Sequence, residues 1–218
     1  MTGSDHAREM RAPYEVARVV AFVDAVVAIA MTLLILPLME SVSEVAAADE
    51  DTAQWFAGHD GQLISFVISF VIIAMFWMIH HRLFVRVDHA TQGLLWTLMA
   101  WLLTIVWLPV ATAISGQMPG EDPLAKTAYI GSMIATCLTS LAIRLYLRRH
   151  PTLHRIPAST ITAGIAADVS TAALFTIALV VALTVPAIGY WALFIMLLAG
   201  PVQAVFARVL GTSRGRAA

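Results

Sequence analysis

Charge is scarce in this chain. Only 12% of its 218 residues are Asp, Glu, Lys or Arg, 60% are hydrophobic, and the mean hydropathy is +0.82. Soluble domains carry about 25% charged residues, so the composition excludes an ordinary water-soluble fold and predicts an integral membrane protein. A basic excess is lacking too, since 13 Lys and Arg meet 14 Asp and Glu. With no basic stripe to neutralise phosphates, nucleic acid is excluded as a partner. Cysteine is reduced to Cys137, in an apolar segment. An intrachain disulfide is therefore impossible, no neighbouring charge activates the thiol, and Cys137 is expected to be a packing residue. Residues Met1 to Val16 lack the basic, apolar and small-residue order of a cleavable signal, so the first span is expected to be a retained signal anchor.

What the chain does have is long apolar runs. A helix needs about 20 residues to cross roughly 30 Å of hydrocarbon. Stretches near that length run from Arg18 to Met39, Leu63 to Ile79, Leu94 to Ile114 and Thr127 to Ile143. From Val169 to Ala207 there are 39 positions without a formal charge, roughly 58 Å of helix, too long for one crossing. Pro186-Ala187-Ile188-Gly189 supplies a hairpin turn there. The expected fold is an all-α integral membrane protein with six transmembrane helices, the fifth starting near Ile161 and the sixth near Tyr190. Residues 1–17 and 209–218 flank a six-helix domain over 18–208.

An even number of spans puts both termini on one side, and the positive residues choose that side. With cytoplasmic termini, the arginines, from Arg8 and Arg18 through Arg86, Arg144 and Arg155 to Arg216, fall inside and Lys126 alone outside. The outer loops then carry Glu40, Glu44, Asp49, Glu50, Asp51, Asp60, Glu121 and Asp122. Such a face either gathers cations or is simply a solvated loop.

The first span holds two charges, Arg18 and Asp24, that are expensive in hydrocarbon, about 2.5 to 3.5 kcal/mol each on insertion scales. Ile29, Leu33 and Leu36 follow the i, i+4, i+7 pattern, with Thr32 beside them. Taken alone, such a stripe is expected to face the core of the bundle. Asp24 lies five positions before Ile29, about 140° round the helix, so it points elsewhere, toward neighbouring helices.

Arg18, then Phe22-Val23-Asp24, Ala28-Ile29 and Thr32-Leu33-Leu34 resemble the Arg-x-x-x-Phe-Ser-Asp signature of the transmembrane protein 175 family of potassium channels. Ser65-Phe66, Trp77, His80-His81 and Phe84 look like that family's second helix, and Leu94-Leu95-Trp96 with Leu108-Pro109 like its third. The resemblance covers roughly the first half of the chain. It implies a homotetramer in the cell membrane, with the first helix of each copy lining a central pore that passes potassium and needs no cofactor. By position it places the apolar constriction on Ile29, Leu33 and Leu36, with Thr32 as the hydroxyl residue that helps select potassium. It also implies a polar network of Arg18, Phe22, Asp24, Trp77, His80 and His81 holding the first three helices together. The absence of a Thr-Val-Gly-Tyr-Gly segment agrees with a pore that has no carbonyl filter.

Two positions depart from the pattern. Val23 stands where the family has serine, and Thr97 where asparagine is usual. Adjacent His80 and His81 diverge by about 100° on a helix, which disfavours chelation of one ion, and no His-Glu-x-x-His pattern is present. Asp168, in Ala166-Ala167-Asp168-Val169-Ser170, is expected near a cytoplasmic helix end, where snorkelling to water is easy. The alternative to a channel is a proton-coupled transporter that works through Asp24 or Asp168. Ser132, Thr136 and Ser140, four residues apart, are close-packing residues, and Trp101, Trp107, Tyr190 and Trp191 are expected at membrane interfaces. No Ser/His/Asp, paired-carboxylate or metal cluster stands out, so an enzyme is not expected.

Overall fold

The computed structural model describes residues 15–47, 51–118 and 122–185. It is helical throughout: α1 (Val16–Leu33), α2 (Leu36–Ala47), α3 (Thr52–Gly58), α4 (Asp60–Phe84), α5 (Gln92–Gln117), α6 (Pro123–Arg149) and α7 (Ala158–Thr184), with a 3-10 turn at Pro151–Leu153. Among the described residues the only β-pairing is the isolated bridge between Val87 and His154. Taking α1 and α2 as one rod, Val16–Ser43, five helices among the described residues are long and apolar enough to cross a membrane. The expected turn at Pro186 and the sixth helix near Tyr190 lie outside the described residues, as does Trp191.

The first span is not one uninterrupted helix, because Pro37 has no N–H to give the carbonyl of Leu33. The ladder loosens at Leu34 and Ile35, where Ile35 N–H donates to Thr32 O at 3.3 Å, and regular bonding resumes with Met39 N–H to Ile35 O at 3.0 Å. Leu34 keeps helical dihedrals, so the rod continues through the break.

Helix starts are set by short polar side chains. Asp122 accepts from Leu124 N–H at 2.8 Å and opens α6, while Thr91 accepts from Leu94 N–H at 3.4 Å and opens α5. Asp51 and Gln54 form a reciprocal capping box at α3. Two of the acids expected in solvated loops thus serve as helix caps.

α5 and α6 form the middle of the bundle. α1 packs on α5 and α4, and α7 packs on α6. The core runs through Val27, Ile73, Leu94, Leu98, Ile105, Ile130, Met133 and Phe175, and Cys137 is buried within it. Trp101 is fully buried there too, which corrects its expected interfacial position. Its ring stacks on His80 at 4.2 Å, so packing against α4 outweighs the interfacial preference of the indole.

One end of the bundle is stitched together by its two connections. Asp88 and His89 N–H both donate to Leu153 O, at 2.8 and 3.2 Å, and Arg155 N–H donates to Arg86 O at 2.9 Å. His154 lies 3.0 Å from Leu147 O through Nε2, and its Nδ1 accepts from Ile156 N–H at 3.0 Å. That pair of contacts requires the proton on Nε2. Tyr146 Oη meets Thr91 Oγ1 at 2.8 Å, and Gly93 leaves room for the phenol, which a Cβ would contact at 2.6 Å.

Candidate functional site

α1 presents two faces. Val23, Val27, Ala30, Leu34 and Leu38, three or four residues apart, are buried against the bundle. The stripe expected from the sequence lies on the opposite side, with Ile29 58% exposed, Leu33 39% and Leu36 51%, and Thr32 exposed beside them. In a single chain these residues are therefore not core, which corrects the expectation drawn from periodicity alone. Thr32 Oγ1 donates to Ile29 O at 2.7 Å. Its proton is thus committed within the helix, and the lone pairs of its oxygen are what it offers outward.

Asp24 sits at the margin between the two faces. Its carboxylate accepts from Trp77 Nε1 on α4 at 2.7 Å. His81 Nδ1 lies 3.8 Å from the same oxygen, too long for a hydrogen bond, and the His81 ring is 5.5 Å from that of Trp77. Asp24, Trp77 and His81 are thus brought together, while Arg18 and Phe22 are exposed. His80 turns the other way, sandwiched between Phe84 at 4.3 Å and Trp101 at 4.2 Å. Of the two departures, Val23 is buried in the core cluster, where its methyl groups pack. Thr97 returns its hydroxyl proton to Leu94 O at 2.7 Å on its own helix.

Three polar links were not anticipated. Ser69 Oγ on α4 meets Tyr129 Oη on α6 at 2.7 Å and accepts from Thr112 Oγ1 on α5 at 2.8 Å, which joins three helices inside the bundle. Lys126, expected in an outer loop, is buried and donates to Ala182 O at 3.0 Å. It thereby serves the last turn of α7, where carbonyls lack helical partners. Arg144 Nε donates to Asp168 Oδ2 at 2.7 Å, with both side chains only 10% exposed.

This last pair corrects the snorkelling expectation for Asp168 and the loop assignment of Arg144. Asp168 is ten residues into α7, about 15 Å of helix from its start. Side chains tilt toward the N-terminus of their own helix, and α6 and α7 are antiparallel, so Arg144 and Asp168 lean toward each other. Gly164 makes space for the guanidinium, which a Cβ there would strike. The signal available in the sequence was an Arg and an Asp each set within an apolar helix, but nothing linear pairs them. Among the described residues, no group of three or more His, Cys, Asp or Glu is gathered as a metal site.

The fold and these links define a multi-pass helical membrane protein. Residues 18–109 match the family described as Endosomal/lysosomal potassium channel TMEM175. A protein named as a potassium channel from Streptomyces collinus is 31% identical over 140 residues, 62% of this chain and 66% of the relative. Another so named, from Chamaesiphon minutus, is 31% identical over 132 residues, 57% of this chain and 62% of the relative. The Rattus norvegicus protein named Endosomal/lysosomal proton channel TMEM175 is 35% identical over 92 residues, 38% of this chain and 18% of its own length. The chain thus spans just under two thirds of the bacterial relatives and about a fifth of the rat protein. These relatives are named as channels, not as enzymes.

Proposed function

We propose that this protein is a potassium-permeable cation channel of the cell membrane, built from four copies with cytoplasmic termini and with α1 of each copy lining the pore. The observation that carries the reading is that Ile29, Leu33 and Leu36 lie outside the protomer's own core, on the helix that opens the family segment. One chain offers no evident path, whereas a symmetric ring of one stripe makes one. The bacterial relatives named as potassium channels support the same reading.

In such a ring the branched apolar side chains stop ions by dewetting, because a cation cannot shed its water without replacement ligands. A slight widening admits water and ions. Thr32, with its proton held by Ile29 O, turns oxygen lone pairs toward the axis, which suits a cation and disfavours an anion. Potassium loses its hydration more easily than sodium, so partial ligation favours it. The loosened ladder at Leu34 and Ile35 gives α1 a place to bend within the stripe. Arg18, Phe22, Asp24, Trp77, His80 and His81 then act as fasteners and packing around α1, not as ligands.

Planar bilayers containing the purified protein test this. Passive current that reverses near the potassium equilibrium potential is expected, and a silent bilayer with saturable counterflow in liposomes would sink it. Proton permeation is the second reading, favoured by the naming of the rat relative. A reversal potential that follows the pH gradient instead of the potassium gradient would select it. The transporter alternative draws less support, because Asp168 is engaged by Arg144.

A further inference from the structure

The stitched end of the bundle carries a charge pattern that neither conduction nor folding uses. Arg82 on the last turn of α4, Arg86 just beyond it, and Arg148 and Arg149 on the last turn of α6 are all exposed. Among the described residues, the acids at this end are Asp88 and Glu15. Asp88 is taken by Arg155, with contacts of 2.6 and 3.0 Å. Asp24 and Asp168 lie deeper and are engaged by Trp77 and Arg144. The guanidinium groups of Arg82, Arg86, Arg148 and Arg149 are thus displayed at these helix ends, with the exposed Arg18 of α1 at the same end.

Topology alone asks only for positive charge near a helix end. It does not ask that the loops bearing that charge be fixed to each other. Here they are fixed. The backbone of Arg86 is bonded to that of Arg155, Val87 pairs with His154, and His154 is bonded to Leu147 O beside Arg148. Arg86 and Arg148 are thus carried on one ribbon of hydrogen bonds, so their backbone needs no further ordering when an anion is bound. Arg suits phosphate by its planar fork of donors.

We propose that this end of the bundle binds the phosphate headgroups of anionic phospholipids in the adjacent leaflet, with Arg82 and Arg86 on one side and Arg148 and Arg149 on the other. The charge complementarity is to the leaflet that basic ends face, whose anionic lipids draw such clusters. Long aliphatic arms let each Arg keep its stem in the acyl region and its head at the phosphate level.

The test uses the full chain purified in neutral detergent, with melting temperature as the readout. Adding phosphatidylglycerol is expected to raise it by about 5 °C, as ligand linkage gives for a chain of this size at saturating lipid. Phosphatidylcholine and inorganic phosphate are each expected to leave it unchanged. The combined variant Arg82→Gln, Arg86→Gln, Arg148→Gln, Arg149→Gln is expected to lose the shift, and Glu40→Gln, away from the stitched end, to keep it. Should the fourfold variant fail to fold, the two double variants decide, each being expected to lose part of the shift. An equal shift with phosphatidylcholine or with phosphate alone, or a full shift in the arginine variants, overturns the proposal. None of these outcomes depends on what the protein conducts.

Discussion

The two ends of the described chain treat polar groups in opposite ways. On the α1 side, Asp24 keeps 36% of its side chain exposed and reaches α4 through one short hydrogen bond and one longer contact. On the α6–α7 side, Arg144 and Asp168 are each 10% exposed and meet at 2.7 Å, with Lys126 buried on Ala182 O further along the same helix pair. Of the most apolar 18-residue stretch of each helix, 22% is buried in the first span, against 44% in α6 and 28% in α7. One side is locked by charge withdrawn from its surroundings, and the other is lightly held with an apolar stripe left uncovered. A locked half beside a lightly held half suits the proposed assembly, in which α1 of each copy meets the others.

The strongest blow to this contrast is Asp168→Ala, which leaves Arg144 buried without its partner. A loss of about 3–5 kcal/mol in unfolding from mixed micelles is expected, whereas replacing both residues by hydrophobic ones of similar size costs far less. If the single and double variants were equally unstable, the lock would be only packing. Gly164→Ala is expected to cost about 1–3 kcal/mol in the same assay, because the added Cβ displaces a guanidinium that Asp168 holds in place. On the other side, Trp77→Phe removes the donor to Asp24 and keeps the ring, so a loss of about 0.5–1.5 kcal/mol is expected. The smallest stability effect, within about 0.5 kcal/mol, is expected for Ile29→Ser and Leu33→Ser, since both side chains already lie outside the protomer core. Their bilayer currents, by contrast, should rise if the proposed constriction is there, because a hydroxyl would wet it. A large stability loss with unchanged current would move these residues back into the core.

Much of this was legible beforehand. Length and composition predicted spans that the structure places at Asp60–Phe84, Gln92–Gln117, Pro123–Arg149 and Ala158–Thr184. The 100° periodicity separated Asp24 from the Ile29, Leu33 and Leu36 stripe, and Asp24 sits half-buried at the margin of the covered face while the stripe is exposed. What periodicity could not decide was which face is covered, because an apolar stripe looks the same against a neighbouring helix, a second copy or lipid. Lys126, Arg144 and Asp168 were misplaced for a related reason. Counting charges by loop assumes that a side chain stays near its own backbone level. A long arm that leans along the helix can be buried from a position that the linear pattern assigns to water. Trp101 shows the same limit, since its indole finds a stacking partner that hydropathy cannot name.

The opposed tilt of Arg144 and Asp168 also bears on how the chain enters the bilayer. Inserted singly, each helix would carry its own charge into hydrocarbon, at about 2.5–3.5 kcal/mol apiece. Joined by a short connection, α6 and α7 are expected to leave the insertion machinery as one hairpin in which Arg144 and Asp168 already neutralise each other. Glycosylation mapping of truncated chains checks this. α6 released without α7 is expected to insert poorly, and restoring α7 with Asp168→Ala should not rescue it. The same carboxylate that locks the finished bundle then acts earlier as the escort of an arginine across the threshold of the membrane.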